Sequence, residues 1–388
     1  MIDDICDHCG RRELSKVYVA PDTIRNLSVM VCENCSLVQS LPRLDRATTR
    51  LTAISAGANW GNIRYGKGFR TEFAINYLNS KISFDDIGTV LDIGSNRGSF
   101  IIELNKRFPK LELWGVEPDI NVVGDYVNNP AIRLISDRIE NVNLPLNYFD
   151  FIYCSHTLEH LASPSQFLKN IRKSLTGRRF LFIEVPNLSI IEDKTIMEEF
   201  FIDKHLYHFT THTLTRVLIS CGYRIVHQGS DSENIFVLAT PDDLHSEDLA
   251  CIDSEDVDDV KRAILNYTLR MKSNLAGLLD AAQQLSKLCM TDKVCVWGAG
   301  RIFDAIVSHG EFDPKLLGGL IDSELYKYVE AIHGVTLSSP VDLPSIAPTV
   351  LIIASRTYYE EIKKSAQIIL NNNIKIYSLF DLMEPLND

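Results

Sequence analysis

The sequence predicts an α/β protein: a doubly wound, mostly parallel sheet in the middle of the chain, a cysteine-bearing module before it and a smaller α/β domain after it. Three observations carry this. Two C-x2-C pairs stand within the first 35 residues, apolar strands alternate with helical stretches between 59 and 240, and the same alternation restarts at 291. Strands separated by helix-length connections favour parallel pairing, because a parallel crossover cannot be made by a tight turn.

The 388 residues fit two or three domains at roughly 100–200 residues each. The expected organisation is a zinc-binding module at 1–58, the main α/β domain at 59–240, an acidic linker and bridging helix at 241–290, and the second α/β domain at 291–388.

In the first module, Cys6-Asp-His-Cys9 and Cys32-Glu-Asn-Cys35 are separated by 22 residues. Each pair sits on a tight turn and offers two thiolates to one tetrahedral ion. Four thiolates close a structural zinc site with no open position for catalysis. So short a segment has little core of its own, and the metal is expected to supply much of its folding energy. His8 reads as a neighbour of the site. The remaining cysteines (Cys154, Cys221, Cys251, Cys289, Cys295) lie in or beside apolar stretches and read as buried thiols.

In the main domain the expected strands are Val90–Ile93, Leu113–Val116, Ile132–Ile135, Phe149–Cys154 and Phe180–Val185, with "IFVLAT" at 235–240 as a late edge strand. The acidic stretch 241–259 reads as an exposed connection. After it, Val257, Val260, Ile264, Tyr267, Met271, Leu275, Leu278, Ala282 and Leu285 recur at helical steps and predict one long helix packed by a single face. From 291, "KVCVWGAG", "LGGLIDSE", "TVLIIAS" and "IKIYSLF" predict a second, Rossmann-like sheet.

Composition narrows the function. Hydrophobic residues make up 45%, enough for buried cores, and 39 basic against 51 acidic residues give a net charge of -12. Gripping a phosphate backbone needs clustered Lys and Arg, so no nucleic-acid partner is expected. No apolar run approaches the roughly 18 residues of a membrane span. The acidic, polar start MIDDICDHCG is not expected to act as a secretory leader. A reducing, cytoplasmic setting is therefore expected, where close cysteine pairs point to metal rather than disulfides.

The stretch VLDIGSNRGSF (90–100) is where the chemistry begins. Asp92 ends the first strand and Gly94 and Gly98 frame a turn that leads into a helix. Glycine permits positive φ and lets a ligand approach the backbone, and the helix N-terminus favours an anionic group. Asn96 stands where a central glycine would be; asparagine visits the left-handed region more readily than most residues with a Cβ. In "WGVEPD", Glu117 ends the second strand and suits the two hydroxyls of a ribose. Asp137 follows the third strand, where an acid can meet an adenine amino group, and Ser155 and His156 end the fourth. Trp60, Gly61 and Tyr65 precede the first helix and are candidates to close over the ligand.

With GVEPDINV and FDFIYCSHTLEHL downstream, this series resembles the class I methyltransferases that use S-adenosylmethionine. More narrowly, "GSNRG" resembles the G-x-N-D-G turn of zinc-containing sugar C-methyltransferases acting on nucleotide-linked keto sugars. Those enzymes also begin with two C-x2-C pairs, the second running into "LVQ", as Cys32 to Gln39 does here, and end in a Rossmann-like domain with a "GAG" turn, as in Trp297-Gly298-Ala299-Gly300. The resemblance implies S-adenosylmethionine as cofactor. It puts Asp92, Gly94, Ser95, Asn96 and Gly98 around the methionine part, Glu117 at the ribose, Asp137 on the adenine side, and Ser155 and His156 near the sulfonium. It also implies a small-molecule acceptor, a nucleotide-linked sugar.

Methyl transfer to oxygen or carbon needs a base, and "FFIDKHLYHFTTHTL" (200–214) brings His205, His208 and His212 together after the fifth strand. The family has Tyr-His-Glu-His-Leu here; only His205 and Leu206 match, and a later His-Gly-Gly-Ser is replaced by "GSDSENIFV". His205 and then His208 are the expected catalytic bases; His212 reads as a helix start and His160 as a core hydrogen-bonder. The resemblance implies carbon as the acceptor, while the missing motifs leave a hydroxyl acceptor open. The competing readings are an RNA methyltransferase gripping its substrate with the zinc module and a non-catalytic binding protein on the same fold. Asp322 in "LIDSE", beyond the second glycine turn, reads as packing rather than as a second cofactor site.

Overall fold

The computed structural model describes residues 5–21, 23, 26–42, 69–119, 123, 126, 129–191, 200–231, 233–242, 254–327, 329–355, 358–370 and 374–383. Trp60, Gly61 and Tyr65 lie outside the described residues, as does most of the acidic stretch 241–259. The chain forms two compact units whose boundary falls inside a long helix, between Tyr267 and Thr268.

The cysteine module contributes three antiparallel strands, β1 (Leu14–Val19), β2 (Ser28–Cys32) and β3 (Val38–Leu41). Along β2 the alternate residues Val29 and Val31 are fully buried, the period of a strand with one face inward. A fourth strand, formed by Tyr207–His208, pairs with β3 through Val38 and Gln39. The module is thereby woven into the histidine-rich segment of the main domain.

The main sheet is built from β4 (Thr89–Ile93), β5 (Glu112–Val116), β6 (Ile132–Ile135), β7 (Phe149–Ser155) and β8 (Leu175–Pro186). With Tyr207–His208 numbered β9, the late hairpin β10 (Tyr223–Ser230) and β11 (Asn234–Pro241) completes it. The strand order is β10-β11-β8-β7-β4-β5-β6. All pairs from β8 to β6 are parallel, and β11 runs against both its neighbours. The order reverses between β4 and β7, which defines the switch point where doubly wound sheets bind ligands at the carboxyl ends of their strands.

The first four expected strands fall within one residue of the observed ends, whereas β8 begins earlier, at Leu175. The expectation of an edge strand at 235–240 is corrected. That segment is β11, paired on both sides, with Ile235 to Ala239 all buried. Its unbroken apolar run marks a strand covered on both faces. The edge is β10, where Arg224, His227 and Gln228 interrupt the apolar residues.

The helix Ser99–Arg107 buries Phe100, Ile101 and Leu104. Phe100 stacks on Tyr153 of β7 at 3.7 Å between centroids, and Tyr153 on Phe182 of β8 at 5.3 Å. Aromatic pairs of this kind add about 0.5–1.5 kcal/mol beyond their buried area. They pin the helix, and the glycine turn before it, to the sheet.

The long helix spans Ser254–Thr291. Of its expected face, Val257, Val260, Ile264, Tyr267, Met271, Leu278, Ala282 and Leu285 are buried, while Leu275 is 41% exposed. The second unit carries β12 (Val294–Trp297), β13 (Gly319–Ile321), β14 (Ala331–Ile332), β15 (Val335–Ser338), β16 (Val350–Ile353) and β17 (Lys375–Ser378). Their order is β14-β15-β13-β12-β16-β17, parallel except at β14–β15. Among the described residues, no helix is long and apolar enough to cross a membrane.

Candidate functional site

At the switch point β4 runs into the glycine turn. Gly94 has φ 73°, Asn96 48° and Gly98 74°. Asn96 therefore takes the left-handed conformation expected of it. Gly94 is also demanded by space: a Cβ there would lie 2.0 Å from Thr157 Oγ1. The helix after Gly98 has no side-chain cap on its N-terminus. Its first N–H groups are thus open to an anionic group such as a carboxylate.

Glu117, at the end of β5, turns back to this loop. Its two carboxylate oxygens accept the N–H of Asn96 at 2.8 Å and of Asp119 at 2.9 Å, leaving one lone pair on each for a ligand hydroxyl. Burial pushes its carboxyl up, partly offset by those two donors. Asp92 is almost completely buried; burial first, and the charge of Glu117 second, push its carboxyl up to about 8. Ser95 is buried with its hydroxyl 2.6 Å from Tyr126 Oη. Asp137 lies two residues past β6, exposed, and accepts from the N–H of Arg138 and from Asn141. The donor and acceptor set therefore fits a cofactor with a carboxylate, a cation and a ribose.

At the end of β7, Ser155 Oγ donates to Glu184 Oε2 at 2.6 Å, and the His156 N–H donates to the Glu184 carbonyl at 2.8 Å. His156 has φ 49°, a strained geometry for a non-glycine residue and one typical of functional positions. Glu184 was not expected from the sequence. The signal was an acid inside the apolar run "FLFIEVP", which can be buried only if it is paired.

Three imidazoles gather next to this strand end. Glu159 Oε1 lies 3.6 Å from His156 Nδ1 and 3.8 Å from His160 Nε2, and the rings of His160 and His205 are 5.0 Å apart. His160 Nδ1 is 2.8 Å from the Lys204 carbonyl and His205 Nδ1 is 3.0 Å from the Phe200 carbonyl. A carbonyl only accepts, so both Nδ1 atoms carry hydrogen and both Nε2 atoms present a lone pair. The Leu206 N–H donates to the Glu159 carbonyl and locks the two segments together. Burial holds His160 and His205 below the usual imidazole range. Glu159 is pushed up by burial and drawn down further by His160 and His156, to about 2. His208 is engaged elsewhere: it is buried, its Nε2 lies 2.8 Å from Ser40 Oγ of β3, and burial lowers it to about 3. His212 faces Asp256 at 3.2 Å. Glu159, between His156 and His160 in "SHTLEHL", is the second acid that the sequence reading passed over.

The four cysteines converge. Sγ atoms of Cys6 and Cys35 are 3.4 Å apart, those of Cys9 and Cys32 3.5 Å, and all four lie within 4.8 Å of one another. A tetrahedron of thiolates about 2.3 Å from a zinc ion has edges of about 3.8 Å, so the cluster fits a tetrahedral metal. Each pair is closed by a residue of positive φ just after its second cysteine: Gly10 at 71° and Ser36 at 53°. Their N–H groups donate to the carbonyls of Cys6 and Cys32. Within the first pair, Asp7 accepts from Ser163 Oγ and the Ser165 N–H at the start of the helix Pro164–Arg172. His8 lies outside the thiolate cluster, 3.2 Å from Ser220 Oγ.

In the second unit, Asp322 accepts from the N–H of Ala299 in the glycine turn and of Glu324 and Leu325. A Cβ on Gly298 would meet the Ala354 carbonyl at 2.8 Å. The turn is closed on its own chain.

The sheet order, the glycine turn at its switch point and the acids at successive strand ends define a class I methyltransferase domain. Residues 68–228 match the family described as "Methyltransferase domain", and residues 290–377 match the one described as "C2185-like, N-terminal". The protein is an S-adenosylmethionine-dependent methyltransferase. No curated protein matches the sequence. Among solved structures, the chain is similar to a Burkholderia thailandensis 1,6-didemethyltoxoflavin-N1-methyltransferase with bound 1,6-didemethyltoxoflavin and S-adenosylhomocysteine: 14% identity, 53% of this chain, 96% of that one and a TM-score of 0.43. A putative methyltransferase in complex with the Haloferax volcanii Trm112 activator gives 10%, 50%, 97% and 0.41. A putative S-adenosylmethionine-dependent methyltransferase from Listeria monocytogenes gives 14%, 43%, 97% and 0.38.

Proposed function

We propose that the protein transfers the methyl group of S-adenosylmethionine to an activated, nucleotide-linked sugar, at oxygen or carbon, with a histidine taking the proton. The observation that carries this is the set of imidazoles, His156, His160 and His205, gathered around a buried acid beside the strand end that follows the glycine turn. Oxygen and carbon acceptors must lose a proton as the methyl arrives, and neutral imidazole is suited to take it. His205, with its Nε2 lone pair free, is the first candidate base, and His208, whose Nε2 is spent on Ser40, the second.

On this reading the helix N-terminus after Gly98 holds the cofactor carboxylate, with Ser95 and Asn96 shaping the turn. Asp92 meets its positive charge, Glu117 the ribose, Asp137 the adenine, and Ser155 and His156 the sulfonium side. Cys6, Cys9, Cys32 and Cys35 hold a structural zinc ion. The chain then reads as a zinc module at 1–58, a methyltransferase domain at 59–240, a connection at 241–290 and an accessory domain at 291–388.

The test is a screen of nucleotide sugars with methyl-labelled cofactor, reading the methylated atom by NMR. On the substrate found, His205→Ala is expected to lower kcat by about 10²–10⁴ while cofactor binding persists. Full activity of that variant refutes the base assignment. Turnover of RNA with no turnover of any sugar nucleotide refutes the acceptor class.

A further inference from the structure

We propose that Glu159, His160 and His205 form a binding site for one divalent transition-metal ion, distinct from the four-cysteine cluster. One ligand atom from each residue lies within 4.8 Å of the others.

Four features of the donor set support this. Glu159 is 1% exposed, and neither of its carboxylate oxygens has a hydrogen-bond partner among the described residues. The nearest imidazole nitrogens, at 3.6 and 3.8 Å, are too distant to hydrogen-bond. A buried carboxylate left this way carries a large desolvation cost, which a bound cation would offset. Next, both histidines have Nδ1 tied to main-chain carbonyls, which fixes the tautomer with Nε2 as the lone-pair donor. That is the outer-shell arrangement of metal-bound histidines.

The chemistry of the set is two imidazoles and one carboxylate, a combination that suits borderline ions such as Co²⁺, Fe²⁺ or Zn²⁺ rather than calcium. Finally, three protein ligands leave positions open, and the His160 side chain is 28% exposed, so a further ligand can reach the ion.

The inference deepens the proposed function and rests on it only for the role of the ion. An acceptor hydroxyl bound to the cation becomes more acidic. Its proton passes to His156, whose Nε2 is buried and unpartnered among the described residues. The freed oxygen lone pair forms the new bond to the methyl carbon as the carbon–sulfur bond breaks, and the sulfonium leaves as a neutral thioether. With the ion bound, His205 is a ligand, so this inference revises the base assignment proposed above from His205 to His156.

The experiment is a calorimetric titration of Co²⁺ into the full-length protein already carrying one equivalent of zinc, which the four thiolates retain. One Co²⁺ per chain is expected, with no thiolate-to-cobalt charge-transfer band. His160→Ala and His205→Ala are expected to weaken binding at least tenfold. Glu159→Gln serves where those variants misfold. It keeps the side chain's shape and removes its charge, so it should abolish the Tm gain that Co²⁺ gives the wild type. Absence of a second equivalent overturns the proposal, as does Co²⁺ affinity unchanged by all three substitutions. Neither readout uses cofactor or acceptor, so failure of the metal site and failure of the methyl-transfer reading are separable: the latter shows as no binding of S-adenosylmethionine.

Discussion

Binding of S-adenosylmethionine is expected to release a proton, and Asp92 is its main source. Burial and the neighbouring Glu117 charge raise the Asp92 carboxyl to about 8, so at pH 7 it is about 0.9 protonated. The cofactor brings a sulfonium and an ammonium, and a cation within a few ångströms lowers a carboxyl by about 1–3 units. A fall of two units leaves it about 0.1 protonated at pH 7, a release of about 0.8 proton; at pH 9 less than about 0.1 would be released. Calorimetric titration in phosphate and in Tris reads this directly, because the buffer heats differ in proportion to the protons exchanged. Asp92→Asn should remove most of the difference, with a remainder from Glu117, whose carboxyl is also raised. The same group sets a stability trend in the cofactor-free protein. Its folded pKa lies above the unfolded value, so the folded state holds a proton that the unfolded chain has lost. Stability falls as pH rises from about 4 to about 8, by up to about 1.4 kcal/mol per unit. Equal heats in the two buffers at pH 7 would refute the assignment of Asp92 to the cationic part of the cofactor.

Cys6→Ser should abolish stoichiometric zinc and make the segment before residue 42 sensitive to limited proteolysis; a resistant, metal-free module would contradict the zinc assignment. His208, lowered to about 3 by burial, is expected to make the protein acid-labile. Its folded pKa lies below the unfolded one, so stability present above pH 6.5 is lost as pH falls toward 3, at up to about 1.4 kcal/mol per unit. A chemical-denaturation series from pH 7 to 5 should show this loss, and His208→Gln should flatten it. In the turn, Asn96→Gly is expected to be neutral and Asn96→Ala to cost about 1–2 kcal/mol of loop stability, seen as weaker cofactor binding. Gly94→Ala should be worse, since its Cβ would collide with Thr157.

The parallel core was legible because each of its strands is a short apolar run closed by an acid or a turn, and such runs have few other destinations. Asn96 was legible for the same reason: few side chains tolerate its backbone angles. The position of β11 was not, because an apolar run does not say how many neighbours it pairs with. Only pairing with β8 and β10 reveals the buried place. Glu184 was missed although it interrupts an apolar run, and Glu159 although it stands between His156 and His160. The sequence shows each acid but not what encloses it: Ser155 reaches Glu184 from β7, and His205 joins the Glu159 cluster from a segment well along the chain. His208 shows the converse. Its residue type suggests chemistry, while the sequence does not show that its position in β9 ties its Nε2 to Ser40 Oγ.

The pairing of β3 with β9 has a consequence for how the protein is made. Ser40 and His208 are 168 residues apart, so at a translation rate of about 5–20 residues per second the edge of β3 waits on the order of ten to thirty seconds for its partner. The four cysteines are all exposed to the cell before then. Metal capture can therefore precede completion of the sheet, holding β1 to β3 in register while an unpaired strand edge stands open to the wrong neighbour. On the proposed zinc assignment, a cell short of zinc would meet its first casualty on the ribosome, in the nascent chain, before any finished enzyme had lost activity.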